Sequence, residues 1–289
     1  MSRADTLSQL LAEPGILVVP GCWDAVSARL IERAGYPGAF MGGFAVSAAR
    51  IGLPDTGLIS YAEMVDQGRN ICSAVSIPVI GDGDTGYGNA VNVGRTVQGY
   101  AQAGFACVMI EDQVTPKRCG HTEGKQVVDR DEAYARIQAA VDARDSMRDG
   151  GADILVMART DANATDGMDE AVARAKAFVE IGADITFLEA PRDEAEMRRY
   201  CDDVPGPKMA NMVEQGETPF LAPATLDEIG YKIALFPITL MLAGIKSMED
   251  ALDAMREGGH PDALARFAHL REIVGFPGYY ETEKKYATD

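Results

Sequence analysis

Eight short and almost continuously apolar runs recur along the chain, and stretches of helical periodicity separate most of them. The runs are residues 16–19, 39–41, 78–81, 107–111, 154–158, 185–189, 208–210 and 233–236. A short apolar run without polar alternation is typical of a strand buried on both faces of a parallel sheet. Eight such strands in roughly 250 residues predict an α/β fold, a closed TIM (β/α)8 barrel.

Helical periodicity between the runs supports this architecture. Apolar residues recur at three- and four-residue spacing in residues 25–34, 90–103, 130–147 and 168–181, and a glycine, typical of helix C-termini, lies near each end. A doubly wound open sheet is the alternative, but no Gly-x-Gly-x-x-Gly segment follows the first strand. We predict that residues 1–246 form the barrel and residues 247–289 a C-terminal helical arm of the same domain.

Composition and charge disfavour several classes of function. The chain has 289 residues with a net charge of −17, which argues against binding the phosphates of nucleic acid. It has no apolar run long enough to span a membrane and no apolar stretch like that of a signal peptide at its start. Five cysteines without Cys-x-x-Cys spacing indicate reduced thiols. We therefore expect a cytoplasmic protein that acts on a small molecule and binds neither nucleic acid nor membranes.

Charged and amide residues follow the predicted strands at the points where each one ends. They are Asp55, Asp82, Asp84, Glu111, Arg159, Asp161, Glu189, Asn211 and Glu214. In a TIM barrel the catalytic groups lie at the carboxyl ends of the strands and in the loops that follow. Structural turns alone would favour neutral residues there, so this distribution predicts an active site.

Two aspartates after the third strand suggest a metal site. Asp82 and Asp84 are two residues apart, and in an extended chain their side chains would project to the same side. With Glu111 from the next strand they would repel one another unless a cation were present. Carboxylate oxygens favour Mg²⁺ over Zn²⁺.

A cysteine between cations is the second chemical signal. Cys119 lies in Lys117-Arg118-Cys119-Gly120-His121, where positive neighbours would lower the pKa of its thiol. The same cations, together with Arg159, would bind a substrate carboxylate. Residues 115–126 include two glycines among polar residues, a composition typical of a loop that closes over an active site. Either signal alone is common in structural loops, and their combination favours metal-assisted carbon chemistry.

On these segments the chain resembles the isocitrate lyase and phosphoenolpyruvate mutase superfamily over nearly its whole length. The segments are Pro20-Gly21-Cys22-Trp23-Asp24-Ala25, Gly52-Leu53-Pro54-Asp55, Asp82-Gly83-Asp84-Thr85-Gly86-Tyr87-Gly88, Ile110-Glu111-Asp112-Gln113, Lys117-Arg118-Cys119-Gly120-His121 and Ala158-Arg159-Thr160-Asp161. The resemblance implies a TIM barrel, bound Mg²⁺ or Mn²⁺, and a homotetramer of dimers that exchange C-terminal helices.

Details of the resemblance point to a group within the superfamily. Cys119 marks its carbon–carbon lyases, whereas its mutases and phosphonopyruvate hydrolases generally lack this residue. 2-Methylisocitrate lyases typically continue the cysteine segment with Arg-Pro-Asn-Lys, and here Thr122-Glu123-Gly124-Lys125 follows. This departure is more similar to 2,3-dimethylmalate lyase and the petal death protein, and it implies a dicarboxylate substrate rather than a tricarboxylate.

A second departure affects substrate binding. Gly42 stands where relatives have serine or threonine, so one hydroxyl contact is missing. The backbone amides of Gly43 and Phe44 would still bind a carboxylate, and the ring of Phe44 would narrow the pocket.

The resemblance implies cleavage of a 2-hydroxy-2-alkyl dicarboxylate to a 2-oxo acid such as pyruvate and a carboxylic acid. The metal would be held by Asp82 and Asp84 and, through water, by Asp55 and Glu111. Cys119 would protonate the departing carbanion. Expected contacts to the substrate or its partners come from His121, Arg159, Glu189, Lys117, Arg118, Gly120 and Asn211, with Leu235 and Pro237 in an alkyl pocket. Glu189 is expected to position Asn211 or His121.

Three alternatives remain open at this point. The chain could cleave 2-methylisocitrate to pyruvate and succinate, or hydrolyse or decarboxylate oxaloacetate with the same metal site. A barrel that binds a 2-oxo acid without catalysis is the alternative from a different class. A complete metal site together with a loop thiol disfavours that last alternative.

Overall fold

Eight parallel strands close into a barrel in a computed structural model of the chain, which describes residues 1–120 and 124–287. The strands are β1 Leu17–Cys22, β2 Ala39–Met41, β3 Val79–Asp82, β4 Cys107–Glu111, β5 Leu155–Thr160, β6 Ile185–Leu188, β7 Lys208–Asn211 and β8 Ile233–Phe236. They neighbour one another in chain order, and β1 pairs with β8, with Leu17 opposite Ile233. The predicted TIM barrel is confirmed.

Several strands continue beyond the apolar runs that predicted them. β5 extends to Thr160 and β7 to Asn211. The reason is that parallel pairing continues through polar residues: Glu111 lies opposite Arg159, and Asn211 lies opposite Leu235. Some polar groups expected in loops are therefore part of the sheet itself, which gives them a fixed backbone.

Helices follow the strands, and the four predicted ones correspond to α2, α5, α6 and α8. The helices are α1 Arg3–Ala12, α2 Ala25–Arg33, α3 Gly43–Ile51, α4 Tyr61–Ala74, α5 Ala90–Ala103, α6 Arg130–Asp149, α7 Ala162–Thr165, α8 Met168–Ile181, α9 Glu194–Asp203, α10 Pro223–Ile229, α11 Thr239–Arg256, α12 Phe267–Ile273 and α13 Phe276–Tyr286. Side chains such as Asp24 and Asn89 cap helix N-termini, and Gly104 and Gly182 end α5 and α8 in left-handed conformation.

Large apolar side chains from alternate positions of the strands fill the inside of the barrel. They are Val19, Phe40, Ile80, Met109, Leu155, Met157, Ile185, Phe187, Met209, Ile233 and Leu235, all buried in one cluster. A second and a third cluster lie between strands and helices. The filled interior leaves the carboxyl ends of the strands as the place where a cavity can form.

The chain divides into two compact units, Met1–Thr239 and a second that begins at Leu240. The second unit is helical, and many of its apolar side chains are exposed: Leu242, Ile245, Met248, Leu252, Met255, Leu264, Phe267, Leu270, Phe276, Tyr279 and Tyr280. The predicted boundary at residue 246 falls inside α11, and the division into barrel and arm at that residue stays a prediction. Within the described parts of the chain, no helix has both the length and the apolar character that crossing a membrane requires.

Gly21 in β1 permits a close backbone contact beside β8. A Cβ atom at this position would lie 2.0 Å from the carbonyl oxygen of Pro237. We expect Gly21→Ala to lower the free energy of unfolding by about 1–3 kcal/mol, because a backbone atom cannot rotate away from the added methyl group. Urea denaturation measures this change.

Gly94→Ala is the matched control for this prediction. Gly94 lies inside α5, and the nearest atoms to its added Cβ would be 3.9 and 4.0 Å away. Alanine has a higher helix propensity than glycine, so we expect this variant to be as stable as the wild type or slightly more stable. Equal urea midpoints for the two variants would contradict the packing argument.

Candidate active site

A cavity of about 380 Å³ opens at the carboxyl ends of the barrel strands. Twelve of the sixteen predicted site residues line it: Gly43, Phe44, Asp55, Asp82, Lys117, Cys119, Gly120, Arg159, Glu189, Asn211, Leu235 and Pro237. Asp82 is the last residue of β3 and Asn211 the last of β7, so the sheet itself places them at the cavity. His121 lies outside the described residues.

The ammonium group of Lys117 lies among buried carboxylates. Its Nζ is 2.6 Å from Oδ2 of Asp55 and 2.9 Å from Oδ1 of Asp84. A Cβ built on Gly43 would lie 3.0 Å from Oδ2 of Asp82, 3.3 Å from Oδ1 of Asp84 and 3.5 Å from Nζ of Lys117, which shows how close these groups are. Three of the four predicted metal ligands, Asp55, Asp82 and Asp84, therefore lie together around Lys117.

The amide of Gly43 is bound inside this group. It donates a hydrogen bond of 2.9 Å to Oδ2 of Asp82. We predicted that this amide would bind a substrate carboxylate, but in the structure its hydrogen-bond acceptor is Asp82. The physical reason is that the first amides of α3 have no intrahelical partner, so the nearest carboxylate accepts from them.

A tight turn, rather than strand alternation, brings Asp82 and Asp84 together. β3 ends at Asp82, and Asp84 has a left-handed backbone with φ of 48°, so the expectation of an extended segment was wrong. The amide of Asp84 donates to Oδ1 of Asp82 at 3.1 Å. Between them, Gly83 donates to the carbonyl oxygen of Met109 at 2.9 Å, and a Cβ there would lie 2.7 Å from that oxygen. Glycine is thus required for the turn.

Burial and mutual repulsion alter the proton affinities of these groups. Burial, together with neighbouring Asp82 and Asp55, raises the pKa of Asp84 to about 7 although Lys117 opposes the change. Burial also raises the pKa of Glu111 well above its usual range. The pKa of Lys117 is raised well above its usual value, because the attraction of the carboxylates outweighs the burial of the ammonium group. The cluster therefore contains one firmly charged cation and more carboxylates than that cation can neutralise.

Four buried carboxylate oxygens in this region lack a hydrogen-bond partner among the described residues. They are Oδ1 of Asp55, Oδ1 of Asp84, which has only its ion pair with Lys117, Oε1 of Glu111 and Oε2 of Glu214. Over residues 1–120 and 124–287, no three Asp, Glu, His or Cys side chains are arranged as a ready-made ligand shell. Mg²⁺ usually takes one or two carboxylates and fills its remaining positions with water and substrate oxygens. The oxygen donors and the excess negative charge fit such an ion.

Arg159 is fixed by three carboxylates. Its Nε lies 2.8 Å from Oδ2 of Asp161 and 3.3 Å from Oε2 of Glu111, and its Nη2 lies 3.0 Å from Oε2 of Glu189. The guanidinium also lies 5.4 Å from the ring centre of Phe187. Burial would lower the pKa of Arg159, but these carboxylates raise it well above its usual value, so the group stays charged. Glu189, expected beside Asn211 or His121, is paired with Arg159, and its contact with either residue stays a prediction.

The segment with Cys119 is anchored at its base. Gln113 and Val127 form an antiparallel bridge, and the amide of Val114 donates to the carbonyl oxygen of Gln126 at 2.8 Å. The side chain of Gln113 binds the backbone amide and carbonyl of Arg118 at 3.0 and 2.9 Å. The Arg118 side chain is exposed and is not part of the cavity lining, so the structure gives no support for its predicted substrate contact.

Sequence reasoning missed part of the cavity wall. Five consecutive residues after β7 line it, namely Val213, Glu214, Gln215, Gly216 and Glu217, together with Phe40, Met109 and Ile238. Of these residues, only Glu214 was predicted to lie at the site, as a polar residue that follows a strand. The available signal was position, since the loop after each strand of a TIM barrel borders the active site.

The family model described as phosphoenolpyruvate phosphomutase matches residues 7–256. The chain belongs to this family. It is 41% identical to 2,3-dimethylmalate lyase from Eubacterium barkeri, with 100% of this chain and 99% of the relative covered. It also superposes on an oxaloacetate acetylhydrolase in complex with the inhibitor 3,3-difluorooxalacetate, with a TM-score of 0.94, 32% identity, and coverage of 98% and 97%. A phosphonopyruvate hydrolase in complex with oxalate and Mg²⁺ has a TM-score of 0.87 at 28% identity, with 99% of both chains covered.

These findings confirm the resemblance seen in the sequence. Family membership and full-length similarity to a lyase identify the chain as an enzyme of the isocitrate lyase and phosphoenolpyruvate mutase superfamily.

The raised pKa of Asp84 predicts a pH-dependent stability. Its pKa is about 7 in the folded protein against 3.8 for a free aspartate, so folding favours the protonated form. This contribution is fully present below pH 3.8 and is lost as the pH rises through about 7. In a buffer with chelator, the wild type should therefore lose stability relative to Asp84→Asn over that window. Urea denaturation at a series of pH values measures the difference.

Asp227→Asn is the control for this prediction. Asp227 is exposed on α10, and its replacement should leave the pH dependence of the wild type unchanged. A constant difference in the free energy of unfolding between wild type and Asp84→Asn across the window would contradict the argument from repulsion.

Proposed function

We propose that this enzyme is a Mg²⁺-dependent carbon–carbon lyase acting on 2-hydroxy-2-alkyl dicarboxylates of the 2,3-dimethylmalate type. The products are a 2-oxo acid such as pyruvate and a carboxylic acid. The observation that supports this most is that one cavity contains the Cys119 segment, the Lys117–carboxylate cluster and the fixed guanidinium of Arg159. The 41% identity to 2,3-dimethylmalate lyase over the whole chain supports the substrate class.

The cations and amide groups of the cavity bind the two carboxylates of the substrate. Arg159 keeps its charge and its orientation because three carboxylates hold it, so it orients a substrate carboxylate without first having to be ordered. Asn211, at the end of β7, also lines the cavity and binds the second carboxylate. The amide of Gly43 is engaged by Asp82, so we assign such a contact to the amide of Phe44, the next residue of α3, which lines the cavity.

Bond cleavage requires a proton to leave one atom and a proton to reach another. The 2-hydroxyl gives its proton to a general base, which we assign to a carboxylate of the cluster around Lys117. The hydroxyl oxygen forms the new carbonyl group, and the bond between C2 and C3 breaks with its electron pair on C3. The thiol of Cys119 then donates its proton to C3. Asp82 and Asp84 would hold Mg²⁺ or Mn²⁺ directly, and Asp55 and Glu111 would hold it through water. The ion would lower the pKa of the 2-hydroxyl and stabilise negative charge on its oxygen.

Apolar residues of the cavity suit the alkyl groups of such a substrate. Phe187, Val213, Leu235 and Pro237 line the same cavity as the charged groups. The ring of Phe44 is 44% exposed and also lines it, which reduces the space for a third carboxylate. These features support a dicarboxylate over 2-methylisocitrate.

Hydrolysis of oxaloacetate is the second candidate. The structural similarity to oxaloacetate acetylhydrolase, with a TM-score of 0.94, favours it. Oxaloacetate would use the same metal and arginine groups, but its hydrolysis would not need the thiol of Cys119. This difference separates the two candidates by experiment.

The helical unit at the C-terminal end of the chain supports a proposal on assembly. The helical unit after Thr239 exposes many apolar side chains, and an exposed apolar surface of this kind marks a protein–protein contact. A homotetramer whose subunits exchange C-terminal helices would cover it. The cytoplasmic location predicted from the sequence stays part of the proposal.

A product screen tests the proposed reaction. Purified enzyme with Mg²⁺ is incubated with 2,3-dimethylmalate, 2-methylmalate, 2-methylisocitrate, isocitrate, oxaloacetate and phosphonopyruvate, and products are identified by mass spectrometry. We expect pyruvate and a monocarboxylic acid from an alkylmalate, and loss of this activity with a chelator that added Mg²⁺ reverses. Pyruvate and succinate from 2-methylisocitrate alone would overturn the dicarboxylate assignment.

Cys119→Ser tests the role of the thiol. A serine hydroxyl is a far weaker acid, so we expect kcat for the alkylmalate to fall by about 10² to 10⁴-fold, the usual contribution of a general acid. Mg²⁺-dependent binding of oxalate should persist. Cys201→Ser, in a half-buried position on α9, is the control and should retain full activity. Full turnover by Cys119→Ser would remove the thiol from the mechanism.

A further inference from the structure

Lys125 is a buried cation that the proposed chemistry does not use. Its side chain is only 5% exposed, although it follows a glycine in a polar segment. Its Nζ donates a hydrogen bond to the carbonyl oxygen of Gly120 and lies 3.8 Å from Oδ1 of Asp161. Burying an ammonium group costs free energy unless polar partners replace water, and these two groups do so.

Gly120, the residue after Cys119, lies directly on the Arg159–Glu189 ion pair. A Cβ at Gly120 would lie 2.4 Å from Oε2 of Glu189 and 2.6 Å from Nη2 of Arg159. The main chain therefore approaches the ion pair more closely than any other residue type would permit. A small displacement of the main chain at Gly120 away from this ion pair would also move the thiol of Cys119 relative to Arg159.

Asp161 joins Lys125 to the same ion pair. It accepts two hydrogen bonds from Arg159, at 2.8 and 3.0 Å, and its own amide donates to Oδ1 of Asp112 at 2.9 Å. Gly120, Lys125, Asp161, Arg159 and Glu189 thus form a closed ring of contacts. One side of the ring is the main chain next to Cys119, and the other side is the end of β5.

We propose that Lys125 is a positioning residue that fixes the main chain at Gly120, and with it the thiol of Cys119, against the Arg159–Glu189 pair. This inference rests on the proposed role of Cys119 as the acid. Lys125 contacts no reacting atom, and it acts by holding the carbonyl group of Gly120. A purely electrostatic role, in which its charge only balances Asp161, is the competing explanation.

Alkylation of Cys119 separates these two explanations without any substrate. Iodoacetamide reacts with the thiolate, and the modified Cys119 peptide is quantified by mass spectrometry across a range of pH. The rate at high pH, where the thiol is fully ionised, reports access to Sγ, whereas the midpoint of the pH profile reports the local charge. We expect Lys125→Met to raise the high-pH rate several-fold and Lys125→Arg, which keeps a long donor, to restore it towards the wild type.

Turnover of the substrate found in the product screen gives the second measurement. We expect kcat of Lys125→Met to fall about 100-fold with a much smaller change in KM, because the acid is displaced while the carboxylate contacts remain. Lys176→Met is the matched control: this lysine lies on α8, is 45% exposed, and should change neither the alkylation profile nor kcat.

The outcomes that overturn the proposal are distinct from those that overturn the function. An unchanged high-pH alkylation rate in Lys125→Met, with or without a shift of the midpoint, would refute positioning. If Lys125→Met does not fold, Lys125→Gln and Lys125→Arg decide, and equal high-pH rates for these two variants would refute it. A wild type that cleaves none of the screened acids would refute the proposed function, while the alkylation measurement would still decide the role of Lys125.

Discussion

The ion pairs between Lys117 and its carboxylates are the interaction on which the rest of the site depends. Four acidic side chains lie near one ammonium group in a place with little water, and two of them, Asp55 and Asp84, contact it directly. Removing one partner of a buried ion pair typically costs about 3–5 kcal/mol, because the other charge stays buried. The end of β3 and the turn at Gly83 hold Asp82 and Asp84 in place in this arrangement.

Much of the fold could be predicted from the sequence because strands buried on both faces leave a simple apolar signal. β2 Ala39–Met41 and β8 Ile233–Phe236, whose runs are purely apolar, have the predicted bounds. The signal fails where pairing continues into polar residues, as at Arg159 and Asn211, because apolarity marks burial rather than hydrogen bonding. Those same residues line the cavity, so the strands were misjudged where the site begins.

The sequence predicted which residues form the site better than it predicted how they are arranged. Residue types and order along the barrel indicated which groups would meet, and the cavity contains most of them. The sequence could not show that Asp84 has a left-handed backbone or that Lys125 reaches Gly120, since both depend on tertiary contacts. The wall after β7 escaped notice because its residues have no chemical signature, only a position.

Glu111 connects the two halves of the charged site. Its Oε2 lies 3.3 Å from Nε of Arg159, and its pKa responds to Lys117 and Asp84 as well, so the carboxylates around Lys117 and the arginine share one electrostatic network. Substitutions within such a network do not have additive effects. A substitution at one charged group therefore changes the surroundings of the others, whereas Phe44, Val213 and Pro237 line the cavity without a charge and can change its shape separately.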